Sequence, residues 1–227
     1  MTVAGWNRIK LWTLRLALLL PVLAVALAAV PRLVSGLALE AAFPIPAYLK
    51  INVSLPTRSY VATAAVLSYA PAADGETQAL RAEAALHAGE PPAQVVPIAE
   101  AALSRAPAFA RGWIVLADLL RSRDPKRAAE ALTLSAELAP HEYYLMAPRV
   151  LAAAPLWSYL PADTREPLLD DTRAMARDRE SRRALLDLLA EKGGPALVTR
   201  AFATHPGELR ALNRRLVRER LGLPGRD

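Results

Sequence analysis

The chain has 227 residues, 53% of them hydrophobic and 22% charged, with a formal net charge of +6 and no cysteine. That length and apolar share supply one domain with a sizeable core and exclude a wholly disordered chain. The missing cysteines exclude disulfides, thiolate metal sites, iron–sulfur clusters and a cysteine nucleophile. Alanine makes up about a fifth of the residues, aromatics 6%, and glycines number only 10. This balance favours helix over strand, so the expected fold class is all-α.

The positive charge is gathered at the start. Residues 1–32 hold Arg8, Lys10, Arg15 and Arg32 and no acid, leaving 24 bases against 22 acids in the remainder. A domain that binds a phosphate backbone concentrates cations on its folded part. Here they flank an apolar run, so no nucleic-acid partner is expected.

That run, residues 16–30, reads LALLLPVLAVALAAV without a polar side chain. A helix between Arg15 and Arg32 would cover about 24 Å, short of the ~30 Å hydrocarbon core. Starting near Leu11 and reaching Leu39 closes the gap, with Trp12 at the interface and Arg15 snorkelling back to headgroups. Residues 11–39 are therefore expected to enter the bilayer as a single transmembrane helix, in which Pro21 is tolerated at the cost of a kink. The rival readings are a cleaved signal peptide, with Ala26-Leu27-Ala28 as the small-residue site, and a buried helix of a soluble domain. Arg8, Lys10 and Arg15 keep the amino terminus cytoplasmic. The Ala- and Arg-rich, Lys-poor composition points to a bacterium, and hence to a single-pass inner-membrane protein with a periplasmic domain.

Residues 1–39 are thus a cytoplasmic start and anchor, and residues 40–56 an extended connector broken by Pro44, Pro46 and Pro56. From Thr57 the pattern turns helical and self-similar. Three segments end alike: 66–71 (VLSYAP), 102–107 (ALSRAP) and 135–140 (SAELAP), their Ala-Pro steps 36 and 33 residues apart. A period near 34 is the mark of stacked helix pairs, because each pair needs a neighbour to cover its apolar face.

The middle unit resembles a tetratricopeptide repeat. Trp113, Leu116, Ala117 and Leu120 follow the large–large–small–large order of a first helix. Arg123-Asp124-Pro125 makes the turn, with Asp124 as N-cap and Pro125 at the first helical position. Ala128, Leu132 and Ser135 take the packing slots of the second helix. Small residues at Ala117 and Ala128 let the helices approach, and Trp113 and Leu132 fill the space between them. In the preceding unit Leu80, Ala84 and His87 mark a first helix ended by Gly89. Pro91-Pro92 open its second helix, which Pro97 bends. The resemblance covers residues 57–141 and implies a helical-repeat solenoid.

Residues 142–227 continue as further helix pairs with a carboxyl-terminal cap. Residues 142–154 are apolar and interrupted by Pro148. Pro161 or Pro167 opens a helix reaching about Asp178, and residues 179–191 form another, stopped by Lys192-Gly193-Gly194-Pro195. A short helix follows over 196–204. Residues 207–221 then carry Leu209, Leu212, Leu216 and Leu221 along one side, with Arg210, Arg214, Arg215 and Arg218 largely outside.

The residues for chemistry are sparse. His87, His141 and His205 lack a second ligand at metal spacing, and His141-Glu142 has Leu145 where a zinc protease needs its next histidine. Asp170-Asp171 reads as an acidic pair favouring a helix start. No phosphate loop and no Gly-x-Ser-x-Gly elbow occur. No enzyme activity, metal or cofactor is expected. What remains is surface. The tetratricopeptide resemblance implies that Arg111, Ile114, Asp118 and Arg121 point into a groove that receives an extended peptide or a helix. Tyr143, Tyr144, Trp157 and Tyr159 form the domain's aromatic cluster, read either as core or as a binding patch.

The layout is similar to that of small membrane-anchored bacterial tetratricopeptide-like proteins, including those that accompany cell-surface polysaccharide synthesis and export. It implies a non-catalytic periplasmic scaffold that recruits an envelope protein partner. The alternatives are an assembly factor for cytochrome maturation or cell division, an accessory subunit of another membrane enzyme complex, and a carbohydrate-binding module.

Overall fold

The computed structural model describes residues 19–25, 27–30, 32–34, 36–37, 56–70, 74–140 and 142–221. Of the expected anchor, every described residue is helical, and its leucines and valines from Leu19 to Leu37 lie exposed. Among the described residues no helix is long and apolar enough to cross a membrane. The rest of the 11–39 segment, and all of the 40–56 connector except Pro56, lie outside the described residues.

From Pro56 onward the described chain is all-α and built of repeated helices. They run α1 (Thr57–Ser68), α2 (Gly75–Ala88), α3 (Pro92–Arg105), α4 (Ala110–Leu120), α5 (Pro125–Leu138), α6 (Tyr143–Leu156), α7 (Ala162–Arg177), α8 (Arg179–Ala190), α9 (Gly194–Ala201) and α10 (Pro206–Arg220). Local chemistry sets most of the ends. Asp74, Asp124 and Asp178 cap α2, α5 and α8, accepting from the backbone N–H of Thr77, Arg127 and Ser181. Pro92 and Pro125 sit in the first helical turn, where no N–H partner is lost. Gly89 closes α2 in the left-handed region at φ +84°, and the N–H groups of Gly89 and Glu90 return to the carbonyls of Leu86 and Ala85.

Consecutive helices from α1 to α9 pack against one another, and α2, α4, α6 and α8 also touch in succession as an inner row. One continuous apolar cluster runs from Ala64 to Leu216. Alanine is what permits the close approach: Ala82, Ala84, Ala117, Ala128 and Ala153 are wholly buried where the helices meet. Leu132 is fully buried, but Trp113 is not its equal. Trp113 is only half-buried, because its indole N–H reaches outward to donate to the Pro107 carbonyl at 2.8 Å.

The carboxyl half follows the expected order with shifted bounds. Pro148 and Pro155 both lie inside α6, and Pro167 lies inside α7, which opens after Pro161. The Asp170-Asp171 pair therefore sits in the later half of α7 and not at its start. Asp171 is buried and pairs with the buried Arg149 at 3.1 Å, while Arg149 also donates to the Ala139 carbonyl at 2.7 Å. Burial lowers the Arg149 pKa, with the Asp171 carboxylate opposing that shift. Helix α9 begins two residues early, at Gly194, since Gly193 at φ +87° makes the turn beneath the Ala154 carbonyl. Helix α10 docks on α8 through Leu212 and Leu216, with Leu209 half-buried beside them, whereas Leu221 stays exposed.

Candidate functional site

The inner row of helices surrounds a cleft of about 180 Å³. Its walls are apolar and come from four helices: Leu86 of α2, Ile114 and Val115 of α4, Leu151 of α6 and Ala184 of α8. Tyr60 of α1 also lines it. Polar groups on the same surface are Glu83, His87, Arg111, Asp118 and Asp187. The geometry follows from helical spacing. Arg111, Ile114 and Asp118 recur at three and four residues along α4, so one stripe of that helix faces the cleft.

Arg111 is held rather than presented. Its guanidinium meets Glu83 in a two-pronged contact, Nε donating to Oε2 at 2.8 Å and Nη2 to Oε1 at 2.7 Å, and both side chains are buried. Burial alone would lower the Arg111 pKa. The Glu83 carboxylate outweighs it, by charge and by hydrogen bonding, so the arginine is held above its usual value with Tyr144 and Tyr60 adding smaller support. His87 stacks on Tyr60 with ring centroids 4.8 Å apart and approaches Glu83 at 4.0 Å. Burial lowers its pKa, Glu83 opposes, and Arg111 adds to the lowering, so the ring is neutral at physiological pH.

Asp118 differs from Glu83. Its closest cation is Arg121 at 3.9 Å, an arginine shared with Glu191 at 3.7 Å. Though 32% of its side chain remains exposed, the carboxyl lies in the cleft and desolvation raises its pKa to about 6. Arg121 opposes that shift, and the nearby Glu83 and Glu191 reinforce it. Asp187 lines the cleft from α8 as an exposed residue. Among the described residues the cleft thus holds one neutralised acid–base pair and two further carboxylates, from α4 and α8, against a single partial counter-cation, Arg121, at its rim.

Of the four residues the repeat resemblance placed in a groove, Arg111, Ile114 and Asp118 line this cleft, and Arg121 stands beside it. Arg111 and Ile114 are buried within its floor. Glu83, which fixes Arg111, and Asp187 were not legible in the sequence: they lie 28 residues before Arg111 and 69 after Asp118, and no local motif links them.

The four aromatic residues are not one patch. Tyr143 and Tyr144 open α6, whereas Trp157 and Tyr159 follow its end, about 20 Å away at 1.5 Å per residue. Tyr143 bonds Asp178, and its hydroxyl accepts from Ser181 Oγ at 2.9 Å, so it ties α6 to the start of α8. Trp157 lies under the guanidinium groups of Arg165 and Arg200, 5.8 and 5.6 Å from its ring centroid. Among the described residues no group of three or more His, Asp or Glu side chains is disposed to hold a metal ion, and His141 lies outside them. Comparison with protein-family models, curated proteins and solved structures finds no match to this chain.

Proposed function

We propose that the protein is a non-catalytic, membrane-anchored adaptor whose tetratricopeptide-like helices hold a segment of an envelope protein partner in the cleft between α2, α4, α6 and α8. The observation that carries this reading is the cleft's composition. Apolar walls from four successive inner helices suit the side chains of an extended or helical segment. Asp118 and Asp187, not neutralised as Glu83 is, suit a lysine or arginine on that segment. The anchor is supported by the apolar residues 19–37, helical and exposed where described, and by the basic residues before them. By the same charge rule the helical domain lies in the periplasm of a bacterium. Polysaccharide synthesis or export is the first assembly to test, on the strength of the overall layout alone.

A photo-crosslinking residue tests the cleft. Placed at Leu151, on the cleft wall, it should trap a discrete membrane-associated partner in cells; placed at the exposed Ser104 on α3 it should not. Asp118→Asn combined with Asp187→Asn should abolish the Leu151 adduct while leaving the fold intact. Equal adducts at both positions, or a Leu151 adduct indifferent to the two carboxylates, would refute the reading. A reporter active only outside the cytoplasm, fused at Asp227, tests the orientation independently: an inactive fusion refutes it.

A further inference from the structure

The last helix carries two opposed faces, and only one is explained by packing. Leu209, Leu212 and Leu216 turn toward the core. At 100° per residue, Arg210, Arg214, Val217, Arg218 and Leu221 gather on the far side, in a strip about 100° wide. The structure exposes all five, Val217 by 57% and Leu221 by 66%. Leu221 continues the same strip, since its N–H still bonds the Val217 carbonyl at 3.1 Å. Arg215 flanks it, also exposed. Among the described residues no carboxylate pairs with these four arginines; Glu208, at the start of the helix, is engaged by Arg177 at 3.4 Å.

An uncompensated basic strip calls for an anionic partner, and its apolar members narrow the choice. An acidic protein surface would match the arginines but leave Val217 and Leu221 without a purpose. A helix lying at the boundary between headgroups and acyl chains uses both, with guanidinium groups at phosphates and aliphatic side chains just below them. We propose that the outer face of α10 rests on an anionic lipid surface, as a second membrane contact of the protein in addition to its amino-terminal segment. Tethering at that segment would raise the local concentration of lipid seen by α10, so a patch too weak to bind alone suffices. The proposal rests on the anchored reading for that proximity only, not for the chemistry of the face.

The absence of cysteine from the chain makes a clean probe possible. The full-length protein carrying Val217→Cys, labelled with an environment-sensitive fluorophore, is mixed with vesicles of phosphatidylcholine alone or of phosphatidylcholine with phosphatidylglycerol, and the detergent is removed. Flotation with the phosphatidylcholine vesicles, which the basic face of α10 should not bind, reads the amino-terminal anchor. The fluorophore reads α10 separately, whether or not the chain has inserted. The expected result is a blue shift with the phosphatidylglycerol vesicles only, reversed at about 0.5 M salt through screening. Arg210→Gln with Arg214→Gln and Arg218→Gln should weaken the partition of the helix on the order of a hundredfold and abolish the shift. All three arginines are exposed, so the variant keeps its fold, which an unchanged melting temperature verifies. The same emission with both vesicles, or a shift that survives the three substitutions, overturns the proposal. A fluorophore that responds to soluble polyglutamate and not to phosphatidylglycerol overturns it in favour of an acidic protein. Failure to float on phosphatidylcholine alone refutes the anchor, and the presence or absence of the blue shift with phosphatidylglycerol still decides for or against α10.

Discussion

Replacing Asp118 with asparagine removes a charge whose pKa the cleft raises from 3.8 to about 6 on folding. A shift of that size corresponds to about 3 kcal/mol if taken at face value. With 32% of the side chain in contact with solvent, screening reduces the figure to about 1–2 kcal/mol. The sign follows from proton linkage. The folded state binds a proton more tightly than the unfolded chain, so this contribution to stability is present below the unfolded pKa and lost as the pH rises through about 6. At about pH 7.5 the wild type therefore carries the whole cost of the buried charge, and near pH 3, below the unfolded pKa, almost none of it. The Asp118→Asn variant carries none at either pH. Chemical denaturation of a fragment spanning 56–227, whose apolar core is made of its own residues, should find Asp118→Asn more stable by about 1–2 kcal/mol at about pH 7.5 and equal to the wild type near pH 3. The melting temperature should rise by about 2–4 °C per kcal/mol for a domain of this size. Arg121 retains Glu191 at 3.7 Å, so loss of its contact with Asp118 subtracts little. A variant that melts below the wild type at neutral pH, or that gains the same amount at both pH values, would falsify the claim that desolvation governs this carboxyl.

Three further outcomes follow from the packing. Arg149→Met should cost about 3–5 kcal/mol in denaturant, because it breaks the buried Arg149–Asp171 ion pair; adding Asp171→Leu should recover most of that loss, and failure to recover would mean that the pair is not the cause. Leu132→Ala should cost about 2–5 kcal/mol and exceed Trp113→Ala, since Leu132 is wholly buried and Trp113 half-buried; the reverse order would refute this register of α4 against α5. Gly194→Ala should destabilise more than Gly207→Ala, as a Cβ at Gly194 would overlap the Leu188 carbonyl oxygen whereas one at Gly207 meets nothing; equal melting temperatures would show that the turn between α8 and α9 is not this tight.

The parts of the fold legible in the sequence are those written in local chemistry. Asp124-Pro125 and Gly89 carry their own capping logic, and the structure ends α2 and begins α5 at those residues. The helix of 207–221 is legible from its leucines at spacings of three and four, and only Leu221, past the last core contact, departs from that pattern. Proline is less informative. Pro148 and Pro167 look like interruptions in sequence but lie within α6 and α7, as Pro155 does, where tertiary packing outweighs the lost hydrogen bond. Asp171 misleads for a related reason: as one of two adjacent acids it suggests a helix start, while it pairs with Arg149, 22 residues away on another helix. Spacing along α4 could place Arg111, Ile114 and Asp118 on one face. It could not show that Glu83 holds Arg111, because that contact exists only once α2 and α4 are packed side by side.

That contact changes what the cleft can do. Two acids, Glu83 and Asp118, sit on neighbouring helices of the same row, and the fold treats them differently. Glu83 receives both prongs of a buried arginine and is fixed as part of the floor. Asp118 receives a distant, shared arginine and is left partly in water with its pKa near 6. An acid placed this way lowers stability at neutral pH, so packing gives no reason for it, whereas a cationic side chain entering the cleft would complete it and return the pKa toward its ordinary value. The linkage runs both ways: such a ligand should bind more weakly as the pH falls through about 6 and Asp118 takes up a proton. Calorimetry of any lysine- or arginine-bearing segment identified by the Leu151 crosslink should therefore find proton release on binding near pH 6 and none in Asp118→Asn. Binding without proton release in the wild type would place the cation elsewhere and leave Asp118 without a role in the cleft.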